Sequence, residues 1–186
     1  MSWTTETIVA DLGPGSPSSD FRVLLHEIFP TEPTGPEGIE HLAVTELASG
    51  PVPNTPYLRQ TLGSDSDTVL LFEQLVCLHE TPLYLNASYI AAEYDPGRLL
   101  LAQRAIHESQ HVPPVREVFE LLFDTSYGGG TAVIESVRCD PHTAQHLGVP
   151  PGSPILLREM RLHDAEGHVI NVMWTHYRPD RVEITC

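Results

Sequence analysis

Two segments of this 186-residue chain resemble each other, and the repeat constrains the fold more than any other feature. Residues 62–73 read LGSDSDTVLLFE, and residues 147–159 read LGVPPGSPILLRE. Both contain Leu-Gly, a polar loop, a branched residue, Leu-Leu and then a glutamate. Each is followed by a turn and a second extended run that ends near a tyrosine, Tyr89 or Tyr177. The ordered match indicates an internal duplication of a β-hairpin.

The segments around the two hairpins complete the fold prediction. Residues 97–111 and 113–130 have helical patterns, and residues 41–47 and 131–139 are typical of strands. Residues 140–148, DPHTAQHLG, have an Asp cap, a first-turn Pro and a terminal Gly, which predicts a short helix. Two similar strand pairs with helices between them predict an α+β domain, with helices on one face of an antiparallel sheet.

The charge balance excludes one class of partner. Twenty-five acidic residues face ten arginines, so the formal net charge is −15. Nucleic-acid binding generally needs a clustered basic face, and no such cluster occurs, so we expect no direct contact with nucleic acid. The chain also lacks a membrane-spanning apolar run and a secretory N-terminus. Three scattered cysteines fit reduced thiols better than a disulfide framework, which predicts a cytoplasmic protein.

Two histidine pairs raise the question of a metal site. His107 and His111, in the sequence HESQH, stand one helical turn apart with a glutamate beside the first, as in zinc peptidases. Proline follows at 113–114 and disfavours helical geometry before it, so the pair lies on a fraying turn. His142 and His146 repeat the spacing on the short helix. Such pairs arise easily in a chain with ten histidines, and we expect neither a metal nor another cofactor.

Most of the chain resembles a known sensor module. Residues 147–184 look like the closing hairpin of the UTRA domain, the effector-sensing module of bacterial GntR/HutC-type transcription regulators. Residues 69–94 are similar to the family's earlier hairpin, and REVFELLFDTSYG (116–128) resembles its middle helix. The resemblance implies a chorismate lyase-like α+β fold over residues 41–186, behind a partly irregular N-terminal extension of residues 1–40.

The N-terminal segment departs from the family pattern. GntR/HutC-type regulators usually carry a basic winged-helix DNA-binding domain ahead of the sensor. Residues 1–40 contain a single basic residue, Arg22, and several Pro/Gly turns. The resemblance therefore implies a stand-alone effector-binding protein without that domain, acting as a homodimer.

The resemblance also implies ligand-binding positions. Many family members carry two arginines, two residues apart, in the first hairpin, and Gln74 and Val76 occupy those places here. A family glutamate in the last strand falls on Asn171, and the family tyrosine six residues later is kept as Tyr177. The period-2 rule puts each of these pairs on one face of its strand. The full predicted set is Gln74, Val76, Glu117, Glu135, Arg161, Asn171 and Tyr177.

These substitutions predict the character of the ligand. Without the two arginines, the bidentate grip on an anion is lost, which favours a neutral or weakly polar small molecule. The alternative is a metal-independent enzyme on the chorismate-lyase fold, with lyase or cyclase-type chemistry in a specialised pathway. Its catalytic residues would be Arg161 and Glu159, which share strand parity, with Tyr177 as a proton donor. The binding module is the favoured hypothesis.

Overall fold

The computed structural model describes three stretches of the chain in full: residues 43–78, 80–101 and 115–182. Of residues 7–10, 22–25, 42, 102–107 and 183–184 it describes the backbone alone. His111 and the side chain of His107 fall outside these ranges, so the metal prediction for that pair lies outside the described residues. Among the described helices, none is both long and apolar enough to cross a bilayer.

The described elements are nine strands and four helices. In chain order they are β1 (Thr7–Ala10), β2 (Arg22–Leu25), β3 (Leu42–Pro53), α1 (Pro56–Leu62), β4 (Thr68–Leu78), β5 (Thr81–Ala91), α2 (Pro96–His107), α3 (Val115–Phe123), β6 (Tyr127–Arg138), α4 (Pro141–Leu147), β7 (Pro154–Asp164), β8 (Val169–Tyr177) and β9 (Val182–Ile184). Six strands form an antiparallel sheet in the order β3-β4-β5-β8-β7-β6, and three form a small sheet in the order β1-β2-β9. The predicted α+β antiparallel class is confirmed.

The strand order confirms the duplication and extends it beyond the hairpins. One half runs β3–α1–β4–β5 and the other β6–α4–β7–β8, and the halves meet where β5 pairs with β8. Glu73 pairs with Ala87, Ala87 with Trp174 and Trp174 with Glu159. An approximate twofold axis between Ala87 and Trp174 therefore relates the two halves. The short helices are exchanged between the halves: α1 contacts β8, and α4 contacts β5.

Helices cover both faces of the six-stranded sheet. Phe119 and Phe123 of α3 pack with Leu70 and other residues on one face, which we call the α3 face. Leu58 of α1 packs with Val69 on the opposite face, which also carries α4 and which we call the α1/α4 face. The expectation of helices on a single face is wrong, because the central strands are apolar on both sides. Consecutive residues Val69 and Leu70 are 0% and 4% exposed.

Part of the N-terminal segment has regular backbone structure. The backbone of β2 pairs antiparallel with β1 and parallel with β9, the last strand. A domain boundary at residue 40 stays a prediction.

Candidate functional site

A cavity of about 210 Å³ lies between α3 and the α3 face of the sheet. Helix α3 contributes an apolar wall, and β4, β5, β7 and β8 form the floor. The apolar lining residues are Ile90, Val115, Val118, Phe119, Leu122, Phe123, Leu162 and Met173. The polar lining residues are Gln74, Asn86, Ser88 and Asn171. A concave apolar site with a few convergent polar groups is the usual form of a small-molecule site.

The polar groups of the floor are partly engaged with each other. The Asn171 amide nitrogen donates to Ser88 Oγ at 2.7 Å and to the Tyr89 carbonyl at 3.1 Å. The Asn86 amide oxygen accepts from Thr175 Oγ1 at 2.9 Å. These contacts fix both amides in orientation and leave the Asn171 oxygen and the Asn86 nitrogen for a ligand. The cavity therefore offers a ligand both a hydrogen-bond donor and a hydrogen-bond acceptor, and neither group carries a formal charge.

Two of the predicted residues line this cavity together. Gln74 lies on β4 and Asn171 on β8, with β5 between them, and both side chains face α3. Val76 and Tyr177 are on the same face but one cross-strand row further along, where Tyr84 pairs with both. They are 5% and 1% exposed and belong to the core beside the cavity rather than to its lining.

Two predicted acidic residues lie away from the cavity. Glu117 is exposed in the first turn of α3, and Glu135 is exposed on β6, an edge strand of the sheet. Neither side chain lines the cavity. The structure does not bring them together with Gln74 and Asn171.

Arg161 and Glu159 lie on the opposite side of the sheet. Arg161 Nε donates to Glu159 Oε1 at 2.8 Å, and Trp174 Nε1 donates to Glu159 Oε2 at 3.0 Å. The Tyr57 hydroxyl, from α1, also donates to Glu159, and it accepts from Arg161 at 2.9 Å. Partial burial alone would raise the pKa of the Glu159 carboxyl, but these hydrogen bonds outweigh it and lower the pKa. The four side chains fasten α1 to the sheet.

This placement corrects the prediction that Arg161 shares a pocket with Gln74 and Asn171. Arg161 pairs across the sheet with Val172, the neighbour of Asn171, and adjacent strand residues point to opposite faces. The catalytic set proposed for the enzyme alternative is divided in the same way. Arg161 and Glu159 are on the α1/α4 face, whereas Tyr177 is buried on the α3 face, so the three cannot act on one substrate.

The second histidine pair is engaged with a glutamate of the sheet. His142 Nε2 lies 3.0 Å from Glu73 Oε1, and the rings of His142 and His146 are 4.7 Å apart between centroids. Within the described residues, no group of three or more His, Cys, Asp or Glu side chains is arranged to hold a metal ion.

Asn86 and Ser88 line the cavity but were not predicted from the sequence as ligand-binding residues. They lie on β5 two residues apart, so strand parity alone puts them on one face. Their register with Gln74 and Met173 then places them in the cavity. The available signal was a pair of small polar residues at period 2 in an otherwise apolar strand. The apolar wall of α3 had no comparable signal, since its residues also form core.

Comparison with known proteins gives one family. The family model described as the UTRA domain matches residues 43–183. A search of curated proteins found no match.

Solved structures agree on the fold. A GntR-family transcriptional regulator from Bacillus cereus is 14% identical, with a TM-score of 0.64 over 78% of this chain and 97% of that one. The ligand-binding domain of a Bordetella bronchiseptica protein classed as a GntR-family regulator is 19% identical, with a TM-score of 0.63 over 75% and 86%. The effector domain of PhnF from Mycobacterium smegmatis is 18% identical, with a TM-score of 0.59 over 83% and 96%.

Proposed function

Because this chain belongs to the UTRA domain family, we propose that the cavity between α3 and the sheet binds the small-molecule effector that the domain senses. The observation that carries the proposal is the convergence of Gln74, Asn86, Ser88 and Asn171 on one apolar-walled hollow. Solved relatives of the same fold are named as ligand-binding and effector domains, which supports the same assignment.

The lining supports a neutral or weakly polar body for the ligand. None of the described lining residues carries a formal charge. A charged group in this apolar hollow would lose its hydration without a counter-charge. An uncharged body can instead exchange hydrogen bonds with the amides and fill the space against α3.

We further propose that the domain acts on gene expression through a basic partner rather than by touching DNA itself. Its formal charge of −15 opposes contact with a phosphate backbone. A homodimer is supported by β6, a 12-residue edge strand whose Val133 is 65% exposed. Exposed edges of this kind pair readily with another chain. Free thiols at Cys77 and Cys139 fit the reducing cytoplasm.

The cavity assignment can be tested with two variants of one helix. Leu122→Trp fills the cavity from α3, and Leu121→Trp places the same side chain on the outer surface, where Leu121 is 49% exposed. Metabolites with an uncharged body, with and without a single terminal charge, would be screened by thermal shift, and hits measured by calorimetry. We expect Leu122→Trp to weaken binding at least about tenfold and Leu121→Trp to leave it unchanged. Equal binding by both variants would remove the cavity as the site.

A further inference from the structure

We infer that Arg158 holds a carboxylate at one end of the ligand, just outside the cavity, so that the ligand is an uncharged body with a single anionic group. The inference rests on the proposed function, because the cavity must hold the body of the ligand. It concerns a side chain that neither lines the cavity nor belongs to the positions predicted from sequence.

Arg158 ends a row of polar residues that begins in the cavity. Gln74 pairs with Asn86, Asn86 with Thr175 and Thr175 with Arg158, so the four lie side by side across β4, β5, β8 and β7. Gln74 and Asn86 line the cavity, and Thr175 is bonded to Asn86 on the same face. Strands are about 4.8 Å apart, so Arg158 starts about 10 Å from Asn86. An elongated small molecule spans that distance.

Two of the eight arginines whose side chains are described, Arg158 and the exposed Arg138, have no carboxylate partner among the described residues, and of these two only Arg158 is half-buried. Six others, whose side chains are also described, each have a carboxylate oxygen at 3.5 Å or less: Arg59, Arg98, Arg116, Arg161, Arg178 and Arg181. Among the described residues Arg158 has no such partner, although the chain has 25 acids for ten arginines. Its Nε is buried and has no hydrogen-bond acceptor in the part of the chain that the structure describes. Leaving a half-buried cation unpaired is costly, which favours an acceptor supplied from outside the chain.

The surroundings of Arg158 suit an anion. Its guanidinium lies over the Tyr177 ring, 5.3 Å from the centroid, and the Tyr84 ring is 5.3 Å from that of Tyr177. Burial raises the pKa of both tyrosines, that of Tyr84 to about 12, against the opposing charge of Arg158. Both phenols therefore stay protonated at neutral pH. The guanidinium is thus held over an uncharged ring, and its planar N–H groups match the geometry and charge of a carboxylate.

The test uses matched probes with the same carbon chain, one ending in a carboxylate and the other in an uncharged amide. Hexanoate and hexanamide have the same chain, and both would be titrated calorimetrically into wild type, Arg158→Gln and Arg138→Gln. Arg138 is the control, an exposed arginine on β6. We expect wild type to bind hexanoate at least about tenfold more tightly than hexanamide. Arg158→Gln should lose that preference and keep hexanamide binding, whereas Arg138→Gln should behave as wild type.

A second readout separates ligand contact from a structural role. In ¹⁵N-labelled protein, the Arg158 Nε–Hε cross-peak is the one missing from the Arg158→Gln spectrum, and hexanoate but not hexanamide should shift it. Arg158→Lys, which keeps the charge, should retain part of the preference. Equal affinities in wild type, or a preference that survives in Arg158→Gln, would overturn the anion site. The cavity proposal would still stand if Leu122→Trp abolished hexanamide binding, and both would fall if neither probe bound at millimolar concentrations.

Discussion

Tyr57 and His142 occupy equivalent positions in the two halves of the fold, and each contacts a strand glutamate of the opposite half. Tyr57 is the second residue of α1 and donates to Glu159 on β7, while His142 is the second residue of α4 and lies 3.0 Å from Glu73 on β4. The two glutamates belong to one cross-strand row, separated by Ala87 and Trp174. Both short helices are therefore held to the sheet by a contact between their second residue and a strand glutamate. In α1 that residue is a tyrosine, and in α4 it is a histidine.

The hydrogen bonds of Glu159 should make the free energy of unfolding depend on pH in the acid range. Because the folded-state pKa of Glu159 is lowered, its contribution is present above the unfolded-state pKa and is lost as pH falls through the folded-state pKa. We expect Glu159→Gln to reduce the free energy of unfolding by about 1–2 kcal/mol at pH 7, with the difference from wild type shrinking below about pH 4. Urea unfolding at several pH values measures this. Glu166→Gln, in an exposed turn, is the control and should show no such change.

His176 should produce a second dependence, nearer neutrality. Burial is the main cause of its lowered pKa, and the charges of Asp140 and Glu73 oppose it. With the folded pKa below the unfolded one, stability is complete above about pH 6.5 and falls as the ring is protonated at lower pH. We expect His176→Gln to flatten the stability profile of wild type between about pH 7 and pH 5. His163→Gln, which lies away from α4, is the control variant. If it flattened the pH profile of stability as much as His176→Gln does, the role of His176 would be contradicted.

The floor amides should respond differently to the same substitution. Asn171 uses its nitrogen to donate to Ser88 and to the Tyr89 carbonyl, so Asn171→Asp would place a carboxylate against acceptors in a site that is 3% exposed. We expect a loss of about 2–3 kcal/mol in the free energy of unfolding. Asn86→Asp keeps the oxygen that accepts from Thr175 and should cost clearly less. Chemical unfolding of the two variants measures the contrast, and equal losses would argue against the assigned amide orientation.

The two equivalent helix caps should differ in strength. Asp140 accepts from the backbone nitrogens of His142 and Thr143 at 2.9 and 3.1 Å, whereas Thr55 accepts only from Leu58, at 3.2 Å. We expect Asp140→Ala to reduce the unfolding free energy by about 1–2 kcal/mol and Thr55→Ala by about 0.5–1 kcal/mol. Thermal and urea unfolding would give the order, and a larger loss for Thr55→Ala would contradict it.

Local patterns were sufficient where a prediction needed only one strand or one helix. The cap residues of α4 and the shared face of Gln74 and Val76 follow from spacing within a single element. The duplication was visible because both copies keep Leu-Gly, Leu-Leu and Glu in order.

Predictions failed where they needed the register between strands. The face of Arg161 relative to Asn171 depends on how β7 and β8 pair, and the structure places Arg161 opposite Val172 and Leu162 opposite Asn171. A register different by one residue would have put Arg161 opposite Asn171 and on its face, and no pattern within either strand fixes that register. The contact between Tyr57 and Glu159 likewise joins distant parts of the chain, so no local pattern could reveal it.

The exchange of α1 and α4 between the halves also bears on how the molecule assembles. Leu58 of α1 packs with Val172 of the other half, and α4 contacts β5 of the other half while its Ala144 packs with Ile155 of its own hairpin. Each half therefore leaves some of its apolar residues uncovered until the other half has formed. We therefore expect the two duplicated halves to depend on each other for folding and to unfold in one concerted transition rather than as two separable units.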